Sequence, residues 1–150
     1  MFEITRATIM RALTSFKTDD IVAAPELDGG SLRLFTAVAE PISELSVAAD
    51  FTVPTWTGYA NKTIAAWGAN YVGPLNEPQS DAPIQQWNGP ADATGQEVLG
   101  WFYLNAAGLL VAAGTFDEGP QPMLTVDDAI VLSLTSRGAR GGDATVLSAL

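Results

Sequence analysis

The chain has 150 residues, 47% of them hydrophobic and 16% charged, with a formal net charge of −10 and neither cysteine nor histidine. A disulfide framework, a thiolate or imidazole zinc site, a cysteine nucleophile and a histidine base are therefore excluded. Nucleic-acid binding by so acidic a body is not expected, because neutralising phosphates needs clustered Lys and Arg.

The charged fraction is well below the roughly 25% of an average globular domain, while the apolar content is enough to offset the entropy of ordering. A single domain of this length buries roughly 68–70% of its unfolded surface. Charge is unevenly placed. No Lys or Arg occurs from Thr63 to Ser136, where Glu77, Asp81, Asp92, Glu97, Asp117, Glu118, Asp127 and Asp128 all fall. Residues 1–17 reverse this, with Arg6, Arg11 and Lys17 against Glu3. Such asymmetry either orients the chain against a partner of mixed charge or is a solvated acidic face.

In chain order, "MFEITRATIMRALTSFK" sets Phe2, Ile9, Leu13 and Phe16 near one another at helical spacing and predicts a short N-terminal helix or arm. It lacks the sustained apolar run of a secretory signal. "TDDIVAAPELDGG" is a connection, broken by Pro25 and turned at Asp28-Gly29-Gly30. From Ser31 the signals are those of strands, beginning with "SLRLFTAV". "KTIAAWGANYV" alternates Thr63, Ala65, Trp67, Ala69 and Tyr71 against small residues, which predicts one strand with two aromatics on one face. "GPLNEPQSDAP" carries three prolines and predicts a loop or poorly paired edge, and "APIQQWNGP" a strand ending in an Asn88-Gly89 turn.

The clearest unit is "EVLGWFYLNAAGLLVAAGTF", two apolar runs joined by a short turn, hence a hairpin. Its first run alternates Val98, Gly100, Phe102 and Leu104 against Leu99, Trp101 and Tyr103. Being apolar on both faces, it sits centrally in a sandwich or offers one face to a partner. "AIVLSLT" predicts a strand with Ile130, Leu132 and Leu134 inward. "RGARGGDATVLSAL" is a flexible tail with an apolar end. No apolar stretch of about 18 residues is present to span a membrane. Short strands without a βαβ rhythm give an all-β, antiparallel β-sandwich or jelly-roll-like fold. Its expected parts are an arm or helix over residues 1–30 packed on the main domain, a sandwich over 31–136 and a flexible tail over 137–150.

Carboxylates are the remaining route to catalysis, and a glycosidase needs two of them on opposite sides of one bond, roughly 5 to 9.5 Å apart. The acids here fall mostly in loops, so no enzyme, cofactor or catalytic residue is expected. Asp117-Glu118 and Asp127-Asp128 are pairs that Ca²⁺ could share with carbonyls, but neither has the alternating spacing of an EF-hand loop, and no metal site is assigned. Among the aromatics, Trp67 and Trp101 are expected in the core. Trp56, Tyr59 and Trp87, beside Pro and Gly, are the candidates for an exposed contact surface.

Residues 32–135 as a whole resemble a group of short virion structural proteins of tailed phages. The likeness lies in the order of "LRLF", "ADF", "GYA", the Trp closing "TIAAW", "GWFYLNAAGLLVAAGTF" and a final "AIVLSLT". "FTVPTWTGYA" departs from the pattern, with Pro54 and Trp56 where a more polar approach is usual. The resemblance implies a non-enzymatic capsid decoration or cement protein, found in the virion after assembly in the host cytoplasm. Its partners would be its own copies, as dimer or trimer, and the capsid or other virion proteins, without nucleic acid or membrane. Inter-subunit or shell contacts are then expected at Phe2, Arg6, Ile9, Arg11, Leu13, Phe16, Arg137, Arg140, Val146 and Leu150. The alternative is a carbohydrate-binding or tail- or fibre-associated module using Trp56, Tyr59 and Trp87.

Overall fold

A computed structural model describes residues 27–43, 45–69, 71–72, 78–138 and 145–149. The expected N-terminal helix or arm, with Phe2, Arg6, Ile9, Arg11, Leu13 and Phe16, lies outside the described residues, as do Arg140 and Leu150. Among those described the fold is all-β. Every strand pairing is antiparallel, and the helical element is a 3-10 turn at Ala48–Asp50.

The main sheet has the order β10-β9-β1-β4, from β1 (Gly30–Phe35), β4 (Lys62–Ile64), β9 (Gly100–Leu104) and β10 (Leu110–Thr115). A second four-stranded sheet, β14-β13-β6-β5, joins β5 (Tyr71–Val72), β6 (Pro78–Asp81), β13 (Leu134–Gly138) and β14 (Thr145–Ala149). Three strand pairs complete the set: β2 (Ala37–Val38) with β3 (Phe51–Thr52), β7 (Gln85–Asn88) with β12 (Ala129–Leu132), and β8 (Gln96–Val98) with β11 (Gln121–Met123).

Side chains of the main sheet are buried on both faces. Leu32, Leu34, Ile64, Trp101 and Tyr103 enter the larger core, where they meet Trp87, Val98, Met123, Ile130, Leu132 and Leu134 from the other strands. Phe35, Phe102, Leu104, Leu110 and Ala113 enter a second core on the opposite face, closed by Phe51 with Val38, Ile42, Ala48 and Val53. There Phe51 stacks on Phe102 at 4.8 Å between centroids and meets Phe35 edge-on at 5.0 Å. Thus the segment from Val38 to Val53 is the lid that the second apolar face needs.

Simple alternation fails at two points in the hairpin. Val98 shares a core with Trp101 and Tyr103, while Leu99 packs with Phe102 and Leu104. This inverts the expected pairing of faces. The chain breaks at Leu99, passing from β11 as partner to β10 and β1, and a one-residue slip flips every following side chain. Gly100 marks the crossing, since a Cβ there would run into the Gly114 carbonyl and the Phe35 ring. The second irregularity is a bulge at Val111, between the pairs Leu110–Leu104 and Ala112–Tyr103. It leaves the neighbours Val111 and Ala112 on one core.

The hairpin itself, the inward set Ile130, Leu132 and Leu134, and the burial of Trp67 and Trp101 agree with the sequence. Three expectations are corrected. "KTIAAWGANYV" is two short strands in different sheets, and Tyr71 is 43% exposed instead of sharing an inner face with Trp67. Residues 78–81 of the proline-rich segment form β6, a paired inner strand between β13 and β5. Asn88-Gly89 is no hairpin turn: β7 pairs with β12, and Gly89 N continues that ladder by donating to the Asp128 carbonyl. Near the C-terminus β13 pairs with residues 145–149.

Phe102→Ala is expected to cost about 3–5 kcal/mol, because it opens a cavity in the second core. Val131→Ala, on the exposed face of β12, should stay within about 0.5 kcal/mol. Urea unfolding of both variants checks this, and equal effects would contradict the assignment of faces.

Candidate functional site

The aromatics expected at the surface form a knot instead. Trp56 and Trp87 are only 2% and 3% exposed, so the expectation of an exposed contact at these two residues is corrected. Trp56 is carried inward at its turn and Trp87 lies on the buried face of β7, where large apolar area is removed from water. The Trp87 indole N–H donates to the Ala60 carbonyl at 2.8 Å, and the Lys62 ammonium lies 5.6 Å from its ring centroid. Trp56 meets Tyr59 edge-on at 5.2 Å. Its buried indole nitrogen, like that of Trp101, has no hydrogen-bond acceptor.

Tyr59 is half-buried and its ring packs on the larger core. Gly58, at φ 95°, supplies the left-handed conformation that turns the chain, and Tyr59 N donates back to the Trp56 carbonyl. β4 accompanies β1 only as far as the pair Leu32–Lys62. Beyond it the Tyr59 hydroxyl accepts from Leu34 N at 3.1 Å and donates to Asn61 Oδ1 at 2.9 Å. A phenol thus continues an edge that β4 leaves open. Burial raises the Tyr59 pKa, with the Leu34 bond and Arg33 opposing.

Trp67 is held similarly. Its backbone N donates to Asp28 Oδ1 at 2.7 Å and its indole N–H to the Tyr103 hydroxyl at 3.2 Å. Tyr103 donates in turn to the Leu27 carbonyl. Burial pushes the Tyr103 phenol up to about 12, the Trp67 bond opposing and Asp28 adding to the rise.

The acids are engaged in loops. Asp128 Oδ2 accepts from Leu124 N and Thr125 N, and these bonds lower its pKa. Asp92 is lowered chiefly by the Thr94 hydroxyl, then by that of Thr57. Asp81 Oδ1 accepts from the hydroxyls of Tyr71 and Thr135. Among the described residues no group of three or more acidic side chains is placed to hold a metal ion.

Among the described residues an apolar groove of about 480 Å³ lies between Val47, Ala48 and Ala49 on one side and Asn105 with residues 108–111 on the other. Both lips are pinned. Asp50 Oδ2 accepts from Val47 N, and Asn105 Oδ1 accepts from the backbone of Ala107 and Leu109 at 3.0 Å each. Leu109 and Val47 are 65% and 52% exposed, and Leu45 nearby is 88% exposed. Sequence reasoning passed over these residues because Leu109 reads as the start of a strand. The signal was an apolar pair, Leu109-Leu110, directly after a turn. The terminal residues named for contacts are not brought to the groove by any described element: Arg137 and Val146 pair with each other across β13 and β14.

Comparison with known proteins found no matching family model, no matching curated protein and no matching solved structure.

Tyr59→Phe is expected to cost about 1–3 kcal/mol in urea unfolding, since it leaves the Leu34 N–H without its acceptor. An unchanged stability would show that the bond contributes nothing. For Tyr103 the folded pKa lies above the ordinary 10.0, so its contribution is complete below pH 10 and is lost as pH rises toward about 12. Tyr103→Phe should remove this part of the alkaline stability loss, and an unaltered pH profile would contradict it.

Proposed function

We propose that the chain is a non-enzymatic virion structural protein, a capsid decoration or cement protein that binds the assembled shell and copies of itself. The observation that carries this reading is the nature of the exposed surface. All four tryptophans turn inward, while Val72, Ile84 and Val126 stand 72%, 70% and 57% exposed. Aliphatic surface of this kind suits contact with another protein surface. A sugar-stacking face would need exposed aromatic rings, and of the three aromatics named for the carbohydrate-binding alternative, Trp56 and Trp87 are buried and Tyr59 is half-buried. The order of motifs resembling tailed-phage virion proteins supplies the placement.

The finer architecture proposed is a β-sandwich of jelly-roll-like form. Its support is the larger core, which draws on the main sheet from one side and on β7, β8, β11, β12 and Leu134 from the other. In such a role the fold supplies a rigid body, and function lies in its faces.

The test is cosedimentation with shells assembled from the major capsid protein encoded in the same genome, together with the mass of the free protein in solution. Saturable binding is expected, weakened at least tenfold by Ile84→Asp or Val126→Asp, exposed positions where the fold tolerates charge. Absence of saturable binding to the shell would overturn the reading.

A further inference from the structure

Strands β12 and β13 follow one another along residues 129–138, and β14 flanks only the part from Leu134 to Gly138. Beside β12 the edge is open. The bond from Gly89 N to the Asp128 carbonyl fixes which backbone groups face β7. In the register that runs on from it, Ile130 and Leu132 exchange bonds with Trp87 and Gln85. The N–H and C=O of Ala129 and Val131 therefore point away from β7. Among the described residues none bonds to them, and both side chains are exposed, Val131 by 44%. Edges at β4, β5 and β11 are blunted by Lys62, by a length of two residues and by Pro122 respectively. The sequence of β12, Ala-Ile-Val-Leu, has no such device.

We propose that this edge pairs with the same edge of a second copy, β12 against β12, antiparallel about a two-fold axis. Under such an axis an open edge is its own complement. Ala129 of one copy and Val131 of the other exchange N–H···O=C bonds, and the mirrored pair does the same. Apolar surface matches as well, because Val131 then lies beside Ala129 and near Val131 of the second copy. Ile84, 70% exposed on the segment leading into β7, extends the strip on each side.

Charge sets the direction of pairing. In the antiparallel register Asp128 falls beside Leu132 of the second copy. The two Asp128 residues then stand roughly 14 Å apart along the strands, beyond the screening length of about 8 Å. Parallel pairing in register would bring them side by side. A chain with only 16% charged residues also suits a surface shared between copies. The pairing supplies the surface for the self-contact in the function proposed above, and it rests on that part of the reading alone.

Sedimentation equilibrium of the full chain, with no shell present, is expected to show a concentration-dependent dimer. Amide exchange at Ala129 and Val131 should slow as the dimer fills, while Ile130 and Leu132, bonded to β7, stay protected throughout. Val131→Pro removes one outward donor per copy and no bond to β7, so pairing should weaken about tenfold or more. Val131→Lys leaves every backbone bond possible but sets two cations near the axis, and should weaken pairing likewise. Circular dichroism checks that each variant keeps its fold. A monomer at all concentrations overturns the proposal. So does a dimer indifferent to Val131→Lys, or one in which Ala129 and Val131 exchange as fast as in the monomer. Binding to the shell would survive each of these results, so the two readings fail separately.

Discussion

A sheet apolar on both faces must be covered twice, and the rest of this structure follows from that requirement. The residues of β9 alternate between two cores, Trp101 and Tyr103 to one and Phe102 and Leu104 to the other. At roughly 25 cal/mol per Å² of apolar area removed from water, neither face could be left exposed without a large loss. The chain solves this asymmetrically. One face meets β7, β8, β11, β12 and Leu134 of β13, and the other is closed by the short segment containing Phe51 and the 3-10 turn. The groove lies where that smaller cover meets the β9–β10 loop, and it is a consequence of how the second face is closed.

Much of the scaffold was legible because its signals are local. The hairpin and the alternation of Ile130, Leu132 and Leu134 depend only on period and turn chemistry, and both appear as read. The failures share a different cause. Where a strand leaves one partner for another, as at Leu99, the phase of alternation resets, and no local pattern announces it. Residues 78–81 form an inner strand although it begins at a proline, because β13, one of its two partners, comes from more than fifty residues further along the chain. Non-local pairing overrode local propensity in each case.

The candidate site was less legible than the fold. Trp56 and Trp87 stand beside Pro and Gly, which suggests solvent, but Trp56 is carried inward at its turn and Trp87 lies on the buried face of β7. Tyr59 was placed correctly at its turn, yet its main work is long-range: it hydrogen-bonds Leu34, twenty-five residues away, where β4 stops. The groove escaped notice because Val47 and Leu109 are ordinary aliphatic residues sixty-two positions apart in the sequence. Only the closing of the second core brings them together.

Native-state hydrogen exchange on individual amides tests most directly the claim that the main sheet is covered on both faces by its own chain. The account predicts that the protected amides of β1 and β9 exchange only through global unfolding, with a free energy equal to that from urea denaturation. Exchange of β9 amides through a smaller local opening, with the 42–53 segment released while the rest of the protein stays folded, would contradict it.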